Sequence, residues 1–149
     1  MEQIREALNA GCTIRILLLN PESTQARYRA HSLNMEESDF RGRIISNLRD
    51  LNAMNDTAQG AGTITVKVYD ALPAFHVFDF GTTKLMAPYW RMKTSTQGPQ
   101  FEIAEVSTIG GIINKHFNDL WNDERPMDGQ QLTKDASEVL NEDRRAPTN

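Results

Sequence analysis

Three histidines are the first side chains to consider for chemistry: His31, His76 and His116. A metal site wants a second ligand at a set offset, such as another histidine four residues on, and none of the three has one. No metal and no cofactor is expected. His76 lies in a strand three residues before Asp79, and residues three apart on a strand point to opposite faces, so the two cannot act as a pair. His116 falls on the apolar side of a helix, where a lone imidazole reads as a partly buried, hydrogen-bonded core residue. His31 ends a polar helix and reads as exposed. Asp56, Asp70 and Asp79 sit near element ends, where paired carboxylates could move protons. Tyr89, Trp90 and Arg91 follow a strand directly, and such a cluster can stack on a flat ligand or pack as a rim. Gly110-Gly111 opens the last long helix behind Ser107-Thr108. It could offer free N–H groups to an anion, but two small residues without a motif read better as close packing of helix on sheet. No nucleophile elbow, phosphate loop or dinucleotide fingerprint is present, so no catalytic residue is assigned.

These groups need elements to hold them. Residues 2–10 predict a helix with Ile4 and Leu8 on one side and Gly11 as its stop. Residues 13–19 read as a strand apolar enough to be covered on both faces, as in a parallel sheet. Asn20-Pro21-Glu22 suggests the cap and first turn of a helix over 21–32. The longest helix is expected at about 39–57 with Ser38 as its cap; Phe40, Ile44, Leu48 and Leu51 form its stripe and Ile45 and Met54 widen it. Arg41, Arg43 and Arg49 read as its solvated side. The period then falls to two: Ile64, Val66 and Val68 alternate with polar neighbours. Residues 75–80 and 84–89 follow as strands joined by a hairpin turn at Gly81-Thr82-Thr83, and 101–106 is another strand after a polar loop. Ile109, Ile112, Ile113, His116, Phe117, Leu120 and Trp121 make the cleanest amphipathic helix of the chain, stopped by Pro126. Together these predict an α/β domain over residues 1–123, a mixed β-sheet covered by helices. Residues 124–149 read as a charged tail with one marginal helix, frayed at its end.

Composition narrows the function classes. The chain has 149 residues, one domain's worth, and a net charge of −4, which argues against a general nucleic-acid binder. Its single cysteine, Cys12, excludes an intrachain disulfide and a cysteine-rich zinc site. The charged N-terminus lacks a signal-peptide core, and the longest apolar run, Ile16-Leu17-Leu18-Leu19, is too short to span a bilayer. A cytoplasmic protein without membrane association is expected.

The order of short patterns carries a resemblance. Ile14-Arg15-Ile16-Leu17-Leu18-Leu19-Asn20-Pro21 is followed by a long helix, then by Val66-Lys67-Val68-Tyr69-Asp70-Ala71-Leu72-Pro73. Phe75-His76-Val77-Phe78-Asp79, Leu85-Met86-Ala87-Pro88-Tyr89 and His116-Phe117-Asn118-Asp119-Leu120-Trp121 come next. This resembles the divergent phospholipase-D-like half module found behind bacterial helix-turn-helix regulators. Active members carry His-x-Lys with an Asp four residues later, the His attacking the phosphodiester and the Lys holding phosphate. Aligning that Asp on Asp79 puts Leu72 and Ala74 at the His and Lys; aligning the His on His76 puts Phe78 and Thr83 at the Lys and Asp. Neither register supplies nucleophile and clamp together. Neither the module's usual first strand nor a DNA-binding domain ahead of it is expected from this reading. The resemblance therefore implies a catalytically inactive relative, paired as a homodimer, that senses a small molecule outside the carboxyl ends of its strands. Asn20, Asp70, Asp79, Tyr89 and Trp90 are the expected ligand-binding residues. Two alternatives stand beside it: a scaffold protein using the sheet edge and the tail helix, and a residual phosphodiesterase or nuclease using His76 with an arginine.

Overall fold

A computed structural model describes residues 2–57, 60, 62–71, 75–89, 91–94, 97–122, 126–127, 130–131 and 133–145. The chain is α/β. In order it forms α1 (Glu2–Asn9), β1 (Thr13–Leu19), α2 (Thr24–Ser32), α3 (Glu37–Thr57), β2 (Thr63–Tyr69), β3 (Phe75–Asp79), β4 (Thr83–Pro88), β5 (Phe101–Ala104) and α4 (Thr108–Trp121). The short strands β6 (Pro126–Met127), β7 (Gln130–Gln131) and β8 (Thr133–Asp135) follow, and then α5 (Ala136–Arg145).

The strands divide between sheets. The first is mixed, with order β1-β2-β8: β1 runs parallel to β2, from Thr13 opposite Thr63 to Leu19 opposite Tyr69, and β8 is antiparallel to β2. The second is antiparallel, β3-β4-β5; β6 and β7 pair only with each other. The parallel β1–β2 pair follows from the long α3 crossover between its strands. The hairpin β3–β4 follows from its short turn, where Gly81 takes φ of 86° at little steric cost.

In the first sheet the register sets Ile14, Ile16 and Leu18 beside Ile64, Val66 and Val68. One cluster joins Ile64 to Leu8 of α1 and to Leu51 and Met54 of α3. Another joins Val68 to Ala26 of α2, Ile44, Ile45 and Leu48 of α3, and Val139 and Leu140 of α5. The α3 stripe is thus buried as its spacing predicts. The opposite side of the sheet carries Arg15 and Lys67. Arg15 lies 5.0 Å from the Phe117 ring centroid and 5.4 Å from that of Trp121, and Lys67 lies 5.1 Å from Trp121. Long cationic side chains cover this face because the aromatic rings of α4 can receive them.

Three local expectations change. The α2 helix starts at Thr24 with Ser23 as its cap, accepting from the Ala26 N–H at 3.0 Å, so Asn20 stands outside it. Helix α3 begins at Glu37, which places Ser38 within its first turn. The compositional boundary at 124 is not a boundary in space. Val139 and Leu140 are 3% and 7% exposed, and β8 extends the first sheet, so β8 and α5, within the segment read as a tail, pack with the domain.

Candidate functional site

One group of polar side chains gathers at the carboxyl ends of β1 and β2. The Asn20 N–H donates to the Tyr69 carbonyl at 2.8 Å, which carries the parallel register one step further and sets Asn20 across from Asp70. Asn20 is buried. Its Oδ1 accepts from the Glu22 N–H at 3.1 Å and its carbonyl accepts from Ser23 Oγ at 2.7 Å. This tight turn after β1 brings α2 back over the strand ends. Arg29, on α2, is buried. Its guanidinium lies 4.4 Å from the Tyr89 ring centroid and donates to Ser32 Oγ at 3.1 Å and the Lys93 carbonyl at 3.0 Å. The Met92 N–H donates to the Ser32 carbonyl at 2.7 Å. These contacts bind the segment after β4 to α2 and fix Tyr89 beside the β2 end.

Ionisation follows the burial. Burial, with Tyr89 nearby, holds the Tyr69 phenol well above its ordinary pKa. Burial raises Tyr89 too, and Arg29 draws it part of the way back. Both are neutral phenols near pH 7, free to donate hydrogen bonds. Burial lowers Arg29, against the pull of Tyr89, but it stays charged at neutral pH. Burial raises Asp70. Among the described residues, no donor reaches the Asp70 carboxylate. Its oxygens reach solvent, since among the described residues no buried side-chain oxygen lacks a partner, and partial burial is the cause of the shift.

A different charged group lies under α4. Lys84 is fully buried; its ammonium donates to Asp79 Oδ2 at 2.7 Å and to Glu105 Oε2. Asp79 Oδ1 accepts from the Gly81 N–H at 2.8 Å, and Glu105 Oε1 accepts from Asn114 of α4. Every carboxylate oxygen of this latch has a partner. Burial works against the Lys84 charge, but its two carboxylates outweigh that and raise its pKa. Burial works against the Asp79 charge too, but the hydrogen bonds from Lys84 and Gly81 prevail and lower its pKa. The Lys84 and Asn114 bonds lower that of Glu105.

The structure therefore splits the expected site. Asn20 and Asp70 stand level with each other at the strand ends, and Tyr89 reaches that end through Tyr69 and Arg29. Asp79 does not: β3 is antiparallel to β4, with Phe75 opposite Pro88 and Asp79 opposite Lys84, so Asp79 stands at the far end from Tyr89 and serves the latch. Trp90 lies outside the described residues, as do Leu72 and Ala74. Tyr89 stacks with Arg29, while Arg91 is exposed. His76 meets the Phe78 ring edge-on at 4.3 Å, and burial lowers its pKa. His116 is exposed rather than core, its ring 5.5 Å from that of Phe75. His31 is exposed as expected, 3.0 Å from Glu37, and Asp56 is exposed as well. Gly110 is a packing glycine: a Cβ there would sit 2.6 Å from the Ala104 and Glu105 carbonyl oxygens. Arg29, Tyr69, Lys84 and Glu105 were not expected. Arg29 and Lys84 look like surface cations in sequence, and nothing local announces their burial. An open groove of about 550 Å³ at the α2–α3 turn, lined by His31, Asn34, Met35, Glu36, Glu37 and Ser38, is separate from both groups. Among the described residues, no cluster of three or more potential metal ligands forms, and no helix is long and apolar enough to cross a membrane.

One protein family matches this chain over residues 2–128; it is described as a domain of unknown function, DUF5919. No curated protein and no solved structure matches it.

Proposed function

As the chain belongs to the DUF5919 family, whose description assigns no activity, we propose from its strand-end geometry that it is a non-catalytic, small-molecule-sensing module, a phospholipase-D-like relative without the phosphodiester chemistry. The observation that carries this reading is Asp70: a half-buried carboxylate without a donor among the described residues, level with Asn20 at the strand ends and next in sequence to Tyr69, which has Tyr89 nearby. The crevice outside the carboxyl ends of strands is where α/β folds commonly bind ligands. A fitting ligand is small and polar, with an amine or other donor for Asp70, an acceptor for the phenols and a face for Tyr89. Action as a cytoplasmic homodimer belongs to the same reading. The phosphodiesterase alternative has little support, since His76 has an aromatic neighbour and burial to explain it and no cation shifts its pKa.

Native mass spectrometry of the purified chain tests this directly. The wild type is expected to retain, or to take up from a pool of small metabolites, a molecule released on denaturation. Asp70→Asn and Tyr89→Ala should lose that mass while keeping the wild-type circular dichroism spectrum. A wild type that binds nothing from the pool, or an Asp70→Asn that binds equally well, rejects the reading.

A further inference from the structure

Helix α5 lies in a groove built by earlier parts of the chain. Val139 and Leu140 pack into one cluster with Ala26 of α2, Ile44, Ile45 and Leu48 of α3, and Val68 of β2. Every one of these wall residues falls within residues 2–128, the span that the family model matches, whereas α5 lies beyond it. The hold on α5 is narrow. Among its described residues only Val139 and Leu140 are buried. Asp143, its side chain 14% exposed, takes Arg41 on one carboxylate oxygen and Arg49 on the other. Those arginines stand about two turns apart on α3 and bracket the carboxylate at the rim of the groove. Ahead of α5, β8 pairs briefly with the β2 edge, from Tyr69 opposite Thr133 to Lys67 opposite Asp135. A helix of 10 residues is marginal by itself in water, so α5 is helical because the groove receives it.

We propose that this groove is a helix-binding site of the family domain, and that α5 fills it as an intramolecular ligand that keeps it closed until α5 is displaced. The seated helix shows what the groove recognises. Residues three apart on a helix share a side, so Leu140 and Asp143 offer a branched apolar group to the floor and a carboxylate to the rim together. Two guanidiniums on one carboxylate favour an acidic helix and repel a basic one. Ion pairs this open to solvent add little stability, but they select the partner and fix its register. The tether to the domain gives α5 a high effective concentration and so the advantage over any free helix of the same kind. A contact made by two apolar side chains and one carboxylate can open without unfolding the α2–α3–β2 body beneath it. Nothing in this contact requires a ligand at Asp70, so the two readings fail separately.

Hydrogen exchange of the full chain, followed by a peptide-binding assay, decides it. In the wild type the amides of α5 are expected to exchange at least about a hundredfold faster than those of Ile44–Leu51 in α3, because α5 opens while α3 stays folded. Matched exchange in the two helices makes α5 part of one cooperative core and overturns the proposal. The binding probe is a fluorescein-labelled synthetic peptide of residues 133–145. It should bind full-length Leu140→Asp, whose own α5 no longer seats, at least about tenfold more tightly than it binds the wild type. Full-length Asp143→Lys leaves the apolar floor untouched and should show the same gain. A peptide carrying Asp143→Lys should lose that binding. Equal binding of the probe to wild type and both variants overturns the proposal, as does equal binding of the two peptides. A Leu140→Asp chain that loses the protection of α3 overturns it too, since the domain would then need α5 to fold.

Discussion

Asp70 and Lys84 show how burial acts on two charges with different company. Lys84 is enclosed but holds two carboxylates, and its charge is secured. Asp70 is less enclosed but unaccompanied, and burial raises its pKa. Its contribution to stability is therefore greatest in acid and is lost as pH rises from its unfolded value, near 3.9, through the higher folded value. Above that range Asp70→Asn should be more stable than wild type, seen as a higher urea midpoint at pH 7 and none of that gain at pH 3. A lower midpoint at pH 7 would mean that Asp70 holds the fold through a contact of its own. A residue that costs stability in the free protein and serves a ligand is a common arrangement at binding sites.

At the scale of elements, α5 is the least expected contributor. Half of its residues are charged, yet Val139 and Leu140 enter the core cluster of α2, α3 and β2. At its outer side, Asp143 joins Arg41 at 2.8 Å and Arg49 at 2.7 Å, so two arginines read as solvated are in fact the clamp on α5. The apolar contact should dominate. Leu140→Ala is expected to cost about 2–4 kcal/mol, and Asp143→Ala about 1 kcal/mol or less, since its partners remain open to solvent. Urea unfolding of both variants measures the difference. Equal small losses would make α5 an accessory rather than part of the core. Helix α4 is the opposite case: its pattern promises a deep core, but only part of its apolar arc meets the sheets.

For the whole molecule, the latch of Lys84, Asp79 and Glu105 ties the β3–β4 hairpin to β5 and α4, and a pH dependence of stability is expected from it. The folded pKa values of Asp79 and Glu105 lie below their ordinary values of 3.8 and 4.5. Their contribution is complete above those values and is lost as pH falls through the folded ones. The folded pKa of Lys84 lies above its ordinary 10.5, so its share is complete below that value and is lost as pH rises through the folded one. Urea midpoints against pH should fall at both extremes in the wild type, and both falls should shrink in Lys84→Met. An unchanged profile in Lys84→Met would show that the latch does not govern the titration.

Much of this molecule was legible in its residues. The strand over 13–19, the apolar stripe of α3 and the hairpin at Gly81 rest on local rules: period and turn chemistry. Such rules act within one turn or one strand, so the sequence by itself determined the α/β class and the order of elements from α1 to α4, but not the short strands β6, β7 and β8. The grouping of Asn20 with Asp70 followed from the parallel pairing of β1 and β2, since strand ends in register meet. Placing Asp79 apart from them, burying Lys84 and Arg29, and drawing α5 into the core depended on partners up to a hundred residues away, as with Arg41 and Asp143. Only the tertiary structure could decide those, because whether a charge is buried depends on what folds over it, and that is not written in its neighbours.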